Sequence, residues 1–208
     1  MYLPDKNIAI LTIPKNGTHT FVNTFHKMYP NTHQVCGYHD RASRVLQMVS
    51  KHFGSDAVKK CKIFALIREP ESRFLSALNY RWEEVLIKEI EAVKRIGNDQ
   101  TLEGLINTSF TNWPEEEDFM FNPQTSWLDC NPSRISLFLT HKELLSEAGY
   151  NGDIVKYNVS KKYFTIKDLQ ESKYYDIIKE RYHADYSMYD TLNLMTKSTA
   201  LRKDHSDG

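Results

Sequence analysis

The sequence is short of what marks secreted, membrane-spanning or nucleic-acid-coating proteins. It has three cysteines in 208 residues, Cys36, Cys61 and Cys130, an odd number at wide spacing. That excludes a disulfide framework and the paired spacing of a zinc site. No apolar run approaches the roughly 20 residues of a membrane-spanning helix. Lysine plus arginine and aspartate plus glutamate number 27 each, so the formal net charge is zero. Nothing in that balance draws the whole molecule to nucleic acid or to an anionic membrane. The N-terminus runs almost directly into an apolar stretch, with no signal-peptide pattern. A soluble protein of the reducing cytoplasm is expected. Hydrophobic residues make up 40% of the chain, enough for a sizeable core. No repeat or low-complexity linker divides it. One domain over 1–208 is expected, with a polar, frayed tail from about 198 to 208.

What is present is a pattern of apolar runs, each followed by a loop and a helix. Residues 7–13 read as a buried strand closed by Pro14, and Thr18 to Met28 as a helix. Arg41 to Phe53 places Val45, Leu46 and Val49 on one helical face, with Gly54 just beyond its end. Residues 62–68 read as a second buried strand, closed by Glu69-Pro70, and Glu71 to about Ile96 as a long helix. A further strand is expected over Ser133 to Leu139, a short helix over His141 to Ala148, and two helices over Ile166 to Leu194. Leu102 to Phe121, rich in Asn, Thr, Trp and acids, reads as irregular. The pattern predicts an α/β fold: a P-loop-like three-layer arrangement with a central parallel sheet flanked by helices.

The chemistry concentrates in two loops. Pro14-Lys15-Asn16-Gly17-Thr18-His19-Thr20 joins a strand to a helix N-terminus. Backbone N–H groups and the positive end of a helix dipole make such a junction a phosphate or sulfate cradle, and Lys15 adds a full charge. An ATP-binding P-loop reads GxxxxGK[ST]. Here the lysine precedes the glycine, so the hydroxyl that holds magnesium beside a P-loop lysine is missing. An ordinary turn with Thr18 as N-cap is the plain alternative. The second loop begins at Arg68, at a strand's C-terminal end, where open parallel sheets bind ligands. Ser76 follows eight residues on, about two helical turns. An arginine fork and a hydroxyl suit a second phosphate. Surface ion pairs among Arg68, Glu69, Glu71 and Arg73 are the plain alternative, worth little.

These residues resemble a known family. Pro14-Lys15-x-Gly17-Thr18 is similar to the 5′-phosphosulfate loop of sulfotransferases that use PAPS (3′-phosphoadenosine 5′-phosphosulfate). Arg68-x-Pro70-x-x-Arg73-x-x-Ser76 resembles their 3′-phosphate motif. The wording around Arg68, the stretch Asn122-Pro-Gln124-Thr-Ser-Trp127-Leu-Asp-Cys130-Asn-Pro132, Leu137-Phe-Leu, Lys142-Glu143-x-Leu145 and Tyr182-x-x-Asp185-Tyr186-x-x-Tyr189 resemble the Golgi carbohydrate sulfotransferases of the chondroitin, HNK-1 and uronyl 2-O types. The likeness spans roughly residues 8–192. The chain departs from that group in being short, in lacking its membrane anchor, and in carrying Ser133 where a second cysteine often follows Cys130. The group's His-Trp is here Phe121-Asn122, or is displaced to Trp113, which leaves acceptor recognition open.

The resemblance implies transfer of the sulfuryl group of PAPS to a hydroxyl acceptor, a small molecule or a carbohydrate, without a metal. It implies donor binding by Lys15, Asn16, Gly17, Thr18, His19, Thr20, Arg68 and Ser76. Lys15 stabilises the leaving 5′-phosphate. His39, in Gly37-Tyr38-His39-Asp40, is the first candidate for the base, because uronyl 2-O-sulfotransferases place a basic histidine in the same interval. His33, His19, Glu83 and Glu84 are its rivals. Lys161, Lys162 and Arg134 are weaker candidates for anion contacts, and Trp127, Trp113 and Trp82 for sugar stacking, with solvated surface and core packing as their plain readings. A P-loop kinase and a module that binds nucleotide without turnover are the competing functions. Oligomeric state and acceptor identity are not readable.

Overall fold

A computed structural model describes residues 1–29, 31–87, 99–111, 119–154 and 161–204. They fall into two compact units. The first draws on Met1–Arg68, Gln124–Tyr157 and Ala184–Gly208, the second on Glu69–Pro123 and Asn158–His183.

The first unit is built on a four-stranded sheet in the order β1 (Tyr2–Leu3), β2 (Ile8–Leu11), β3 (Lys62–Leu66) and β4 (Ile135–Phe138). β2, β3 and β4 are parallel, and β1 is an antiparallel edge. Side chains alternate along each strand, so the apolar runs divide between two faces. Ala9, Leu11, Ile13, Ile63, Ala65 and Ile67 face one way. They pack with Ala42, Val45 and Val49 of α2 (Ala42–Phe53), whose residues recur at helical spacing. Ile8, Ile10, Phe64 and Leu66 face the other way, against Val22 and Phe25 of α1 (Thr18–Met28) and Leu144 and Leu145 beyond β4. Helices on both faces of a mainly parallel sheet make the expected three-layer α/β arrangement. A short α3 (Ser55–Lys60) leads into β3.

The second unit contains α4 (Pro70–Leu86), α5 (Leu102–Thr111), α7 (Ile166–Glu171) and α8 (Tyr175–Arg181). Phe74 is its aromatic centre, with ring centroids 5.4 Å from Phe121 and 5.6 Å from Tyr182. Arg73 is only 1% exposed and donates from Nη2 to the Met120 carbonyl at 3.0 Å. It is a buried strut rather than a member of a surface ion-pair cluster. A charge inside is tolerated because its fork finds a carbonyl. Asn79 plays a similar part: Oδ1 accepts from the Tyr163 and Phe164 amides at 2.6 and 2.9 Å.

Several boundaries differ from the sequence reading. Leu102–Thr111 is a helix, with Leu105 and Ile106 buried, not an irregular stretch. The expected pair of helices over 166–194 is three: α7, α8 and α9 (His183–Asp204). α9 continues through most of the stretch read as frayed. The end of the helix expected to reach about Ile96 lies outside the described residues, which here stop at 87. α6 (His141–Glu147) is opened by Thr140 in a capping box with Glu143. Among the described residues, no helix is long and apolar enough to cross a membrane.

Candidate active site

The loop after β2 is held in an unusual backbone shape. Lys15 has φ 64° and Gly17 φ 81°, both in the left-handed region. For lysine this costs about 1 kcal/mol, and such residues persist only where their surroundings over-determine them. Here they do. The Asn16 amide closes a turn onto the Ile13 carbonyl at 3.3 Å. Asn16 Nδ2 donates to the Leu66 carbonyl at 2.6 Å and to Gln124 Oε1 at 2.7 Å. Arg68 Nη1 donates to the Lys15 carbonyl at 3.1 Å. The two sequence motifs therefore meet: the arginine of the second braces the lysine of the first.

Gly17 is the N-cap of α1 and has no side chain to accept from the first-turn amides. α4, α6 and α7 differ: their first turns are capped by Glu69, Thr140 and Thr165. An N-terminus without a side-chain cap leaves its N–H groups to water or to an anion. Two side-chain atoms beside it are buried without a hydrogen-bond partner, Asn16 Oδ1 and Thr18 Oγ1. Thr18 is 9% exposed, and its hydroxyl can donate to an anionic oxygen. The residues present thus fit a phosphosulfate group: an uncapped helix start, a buried hydroxyl and a lysine. Asn16 takes part differently from the sequence expectation, since its side-chain donors are spent on the brace. Thr20 is buried and His19 exposed.

Gly17 also meets a residue that sequence reasoning passed over. A Cβ at this position would lie 2.4 Å from His141 Nε2, at the start of α6. His141 reaches the loop because β4 ends at the same sheet edge as β2 and β3. Gly17→Ala combines this overlap with the left-handed φ. We expect a loss of about 2 kcal/mol, seen as a melting temperature lower by roughly 4–8 °C. Adding His141→Ala should restore part of it. A G17A protein that melts like the wild type would contradict the packing described.

His39, half-buried, lies at the same edge. Its Nδ1 is 2.7 Å from the Thr12 carbonyl, which can only accept. Nδ1 therefore carries a proton, and when the ring is neutral its lone pair is on Nε2. Its rivals are placed differently. His33 pairs through its backbone with Tyr2 and stacks edge-on to Phe53 at 5.1 Å. Glu84 is bound to Arg81, and Glu83 faces Lys161 at 3.7 Å, both in the second unit. Ser76 is half-buried on α4 of that unit, where Glu69 already satisfies the Glu71 and Ser72 amides.

Lys161 and Lys162, Trp127 and Trp82 take their plain readings, while Arg134 is half-buried rather than solvated. Arg134 precedes β4, at the opposite end of the sheet, and donates to the Val58 carbonyl. Lys161 and Lys162 are exposed. Trp127 is core, and Trp82 packs on Phe164 with centroids 5.4 Å apart. Trp113 lies outside the described residues. The thiols make poor nucleophiles: desolvation pushes Cys61 up to about 11 and raises Cys36 and Cys130. Among the described residues, no group of three or more His, Cys, Asp or Glu is arranged to hold a metal.

The structure is thus an α/β protein whose sheet carries, at its C-terminal edge, a loop with Lys15 and an uncapped helix start, braced by Arg68 from the end of the next strand. The chain belongs to the sulfotransferase family, whose sequence model matches residues 1–174. That family supports sulfuryl transfer in general. No curated protein and no solved structure matches the chain.

Proposed function

We propose that the protein transfers the sulfuryl group of PAPS to a hydroxyl of a carbohydrate acceptor by in-line displacement. The observation that carries this reading is the hydrogen bond from Arg68 to the Lys15 carbonyl, which ties a 5′-phosphosulfate loop to a 3′-phosphate arginine. PAPS, when bound, supplies the activated sulfuryl group. The first-turn amides of α1 and the Thr18 hydroxyl hold the anion. Lys15 places positive charge where it develops as the 5′-phosphate departs, an effect that counts for much in a water-poor site. Arg68 provides the guanidinium for the 3′-phosphate.

His39 is the general base. The Thr12 carbonyl holds its proton on Nδ1, so Nε2 takes the proton of the acceptor hydroxyl as that oxygen bonds to sulfur. The carbohydrate acceptor rests on the resemblance to the chondroitin and uronyl 2-O group. The three unpaired thiols support a reducing, cytoplasmic setting. The test is incubation with sulfur-labelled PAPS and a panel of sugars, glycans, phenols and alcohols. We expect label to appear on a sugar hydroxyl. Transfer only to phenols or simple alcohols would overturn the carbohydrate assignment, and transfer to none while ATP phosphorylates an acceptor would overturn the reaction.

A further inference from the structure

Gln124 is 0% exposed and makes three side-chain hydrogen bonds with the two loops. Its Oε1 accepts from Asn16 Nδ2 at 2.7 Å and from the Arg68 amide at 3.0 Å. Its Nε2 donates to the Arg68 carbonyl at 2.8 Å. The Arg68 amide can only donate and its carbonyl only accept, so these partners fix which end of the Gln124 amide is oxygen. Both main-chain groups of Arg68 are thus gripped by one side chain. The grip imitates a further rung of sheet at a point where β3 has already ended, at Leu66.

Gln124 is itself pinned from behind. Asp185, also 0% exposed, accepts from the Gln124 amide at 2.6 Å and the Thr125 amide at 2.9 Å. It caps the 3-10 turn Gln124–Trp127 from α9, 61 residues away along the chain. A buried carboxylate facing two consecutive amides is well satisfied, and such bonds are the stronger kind. The result is a chain of contacts from α9 through Gln124 to both loops.

We infer that Gln124 is a positioning residue that sets the protein's preference for a nucleotide bearing a 3′-phosphate. This rests on the reading that Arg68 grips that phosphate. The two loops depend on Gln124 unequally. Asn16 keeps its bond to the Leu66 carbonyl and its turn onto Ile13 if the amide is lost. Arg68 loses the side chain that holds both of its main-chain groups. Loss of Gln124 therefore acts mainly on the 3′-phosphate end.

The experiment compares wild type, Gln124→Met and Gln124→Glu by calorimetric titration with PAP (adenosine 3′,5′-bisphosphate) and AMP, alongside hydrogen exchange at the Arg68 amide. Methionine keeps the volume and removes the three side-chain hydrogen bonds. Glutamate keeps the acceptor and removes the donor to the Arg68 carbonyl, which covers the case in which the methionine variant does not fold. We expect the PAP-to-AMP affinity ratio to fall by about tenfold or more, with AMP affinity changed by less than about threefold. The Arg68 amide should exchange at least about tenfold faster in Q124M, while β2 keeps its protection. A wild type that prefers PAP and a folded variant that keeps the same preference would overturn this inference alone. Equal losses for PAP and AMP would make Gln124 merely structural. A wild type that does not distinguish PAP from AMP would overturn the donor reading and this inference with it.

Discussion

Lys15→Ala lowers sulfuryl transfer by about a hundred- to a thousandfold, the range seen when one donor to a developing charge is removed. The loop should survive the change. What holds residue 15 is its carbonyl, bonded to Arg68, and the neighbouring Asn16 side chain, bonded to Leu66 and Gln124. Alanine meets the same left-handed φ as lysine, so the backbone penalty is little changed. The loss then belongs to the charge. Because that charge matters most as the 5′-phosphate departs, kcat should fall further than PAP affinity, a split read from steady-state kinetics beside calorimetry. A K15A enzyme whose turnover stays within about threefold of the wild type would remove Lys15 from its role.

His39→Ala should cut turnover by about a hundred- to ten-thousandfold, the usual worth of a positioned general base. Its Nδ1 bonds to the Thr12 carbonyl and the proposed role is toward the acceptor, so PAP affinity should stay within about threefold. A melting curve separates catalysis from the loss of the Thr12 contact, which is worth about 1 kcal/mol. If turnover survives, the base lies elsewhere, and Glu83 and Glu84 are the next residues to replace. If PAP affinity collapses together with turnover, His39 serves the donor loop rather than the acceptor.

The outline of the fold was legible where the signal is local. The apolar runs ending at Pro14 and at Glu69-Pro70 gave β2 and β3, and the spacing of Val45 and Val49 gave α2. α1 begins at Thr18, as read from the loop before it. β1 was missed because two residues carry no periodicity; it is defined by pairing with β2. α5 was missed because its asparagine and threonines read as loop, while burial of Leu105 and Ile106 decided the matter. Arg73 read as surface by its charge, yet it is buried, with its guanidinium donating to the Met120 carbonyl.

The site was legible in part for the same reason. Lys15, Gly17 and Arg68 stand out by type and by position at strand ends. That Arg68 braces Lys15 was not readable, because 53 residues separate them. Gln124 and Asp185 were visible only as members of a family pattern. Their roles arise from partners 108, 56 and 61 residues away, which no local rule brings together. His141 belongs to none of the quoted motifs, and its place against Gly17 depends on a partner 124 residues away.

The most direct test is a calorimetric titration of the full chain with PAP, set beside ATP with magnesium. If Lys15 and Arg68 serve the two ends of the donor as proposed, one PAP binds per chain and ATP gives no heat. Heat from ATP with none from PAP would contradict the account.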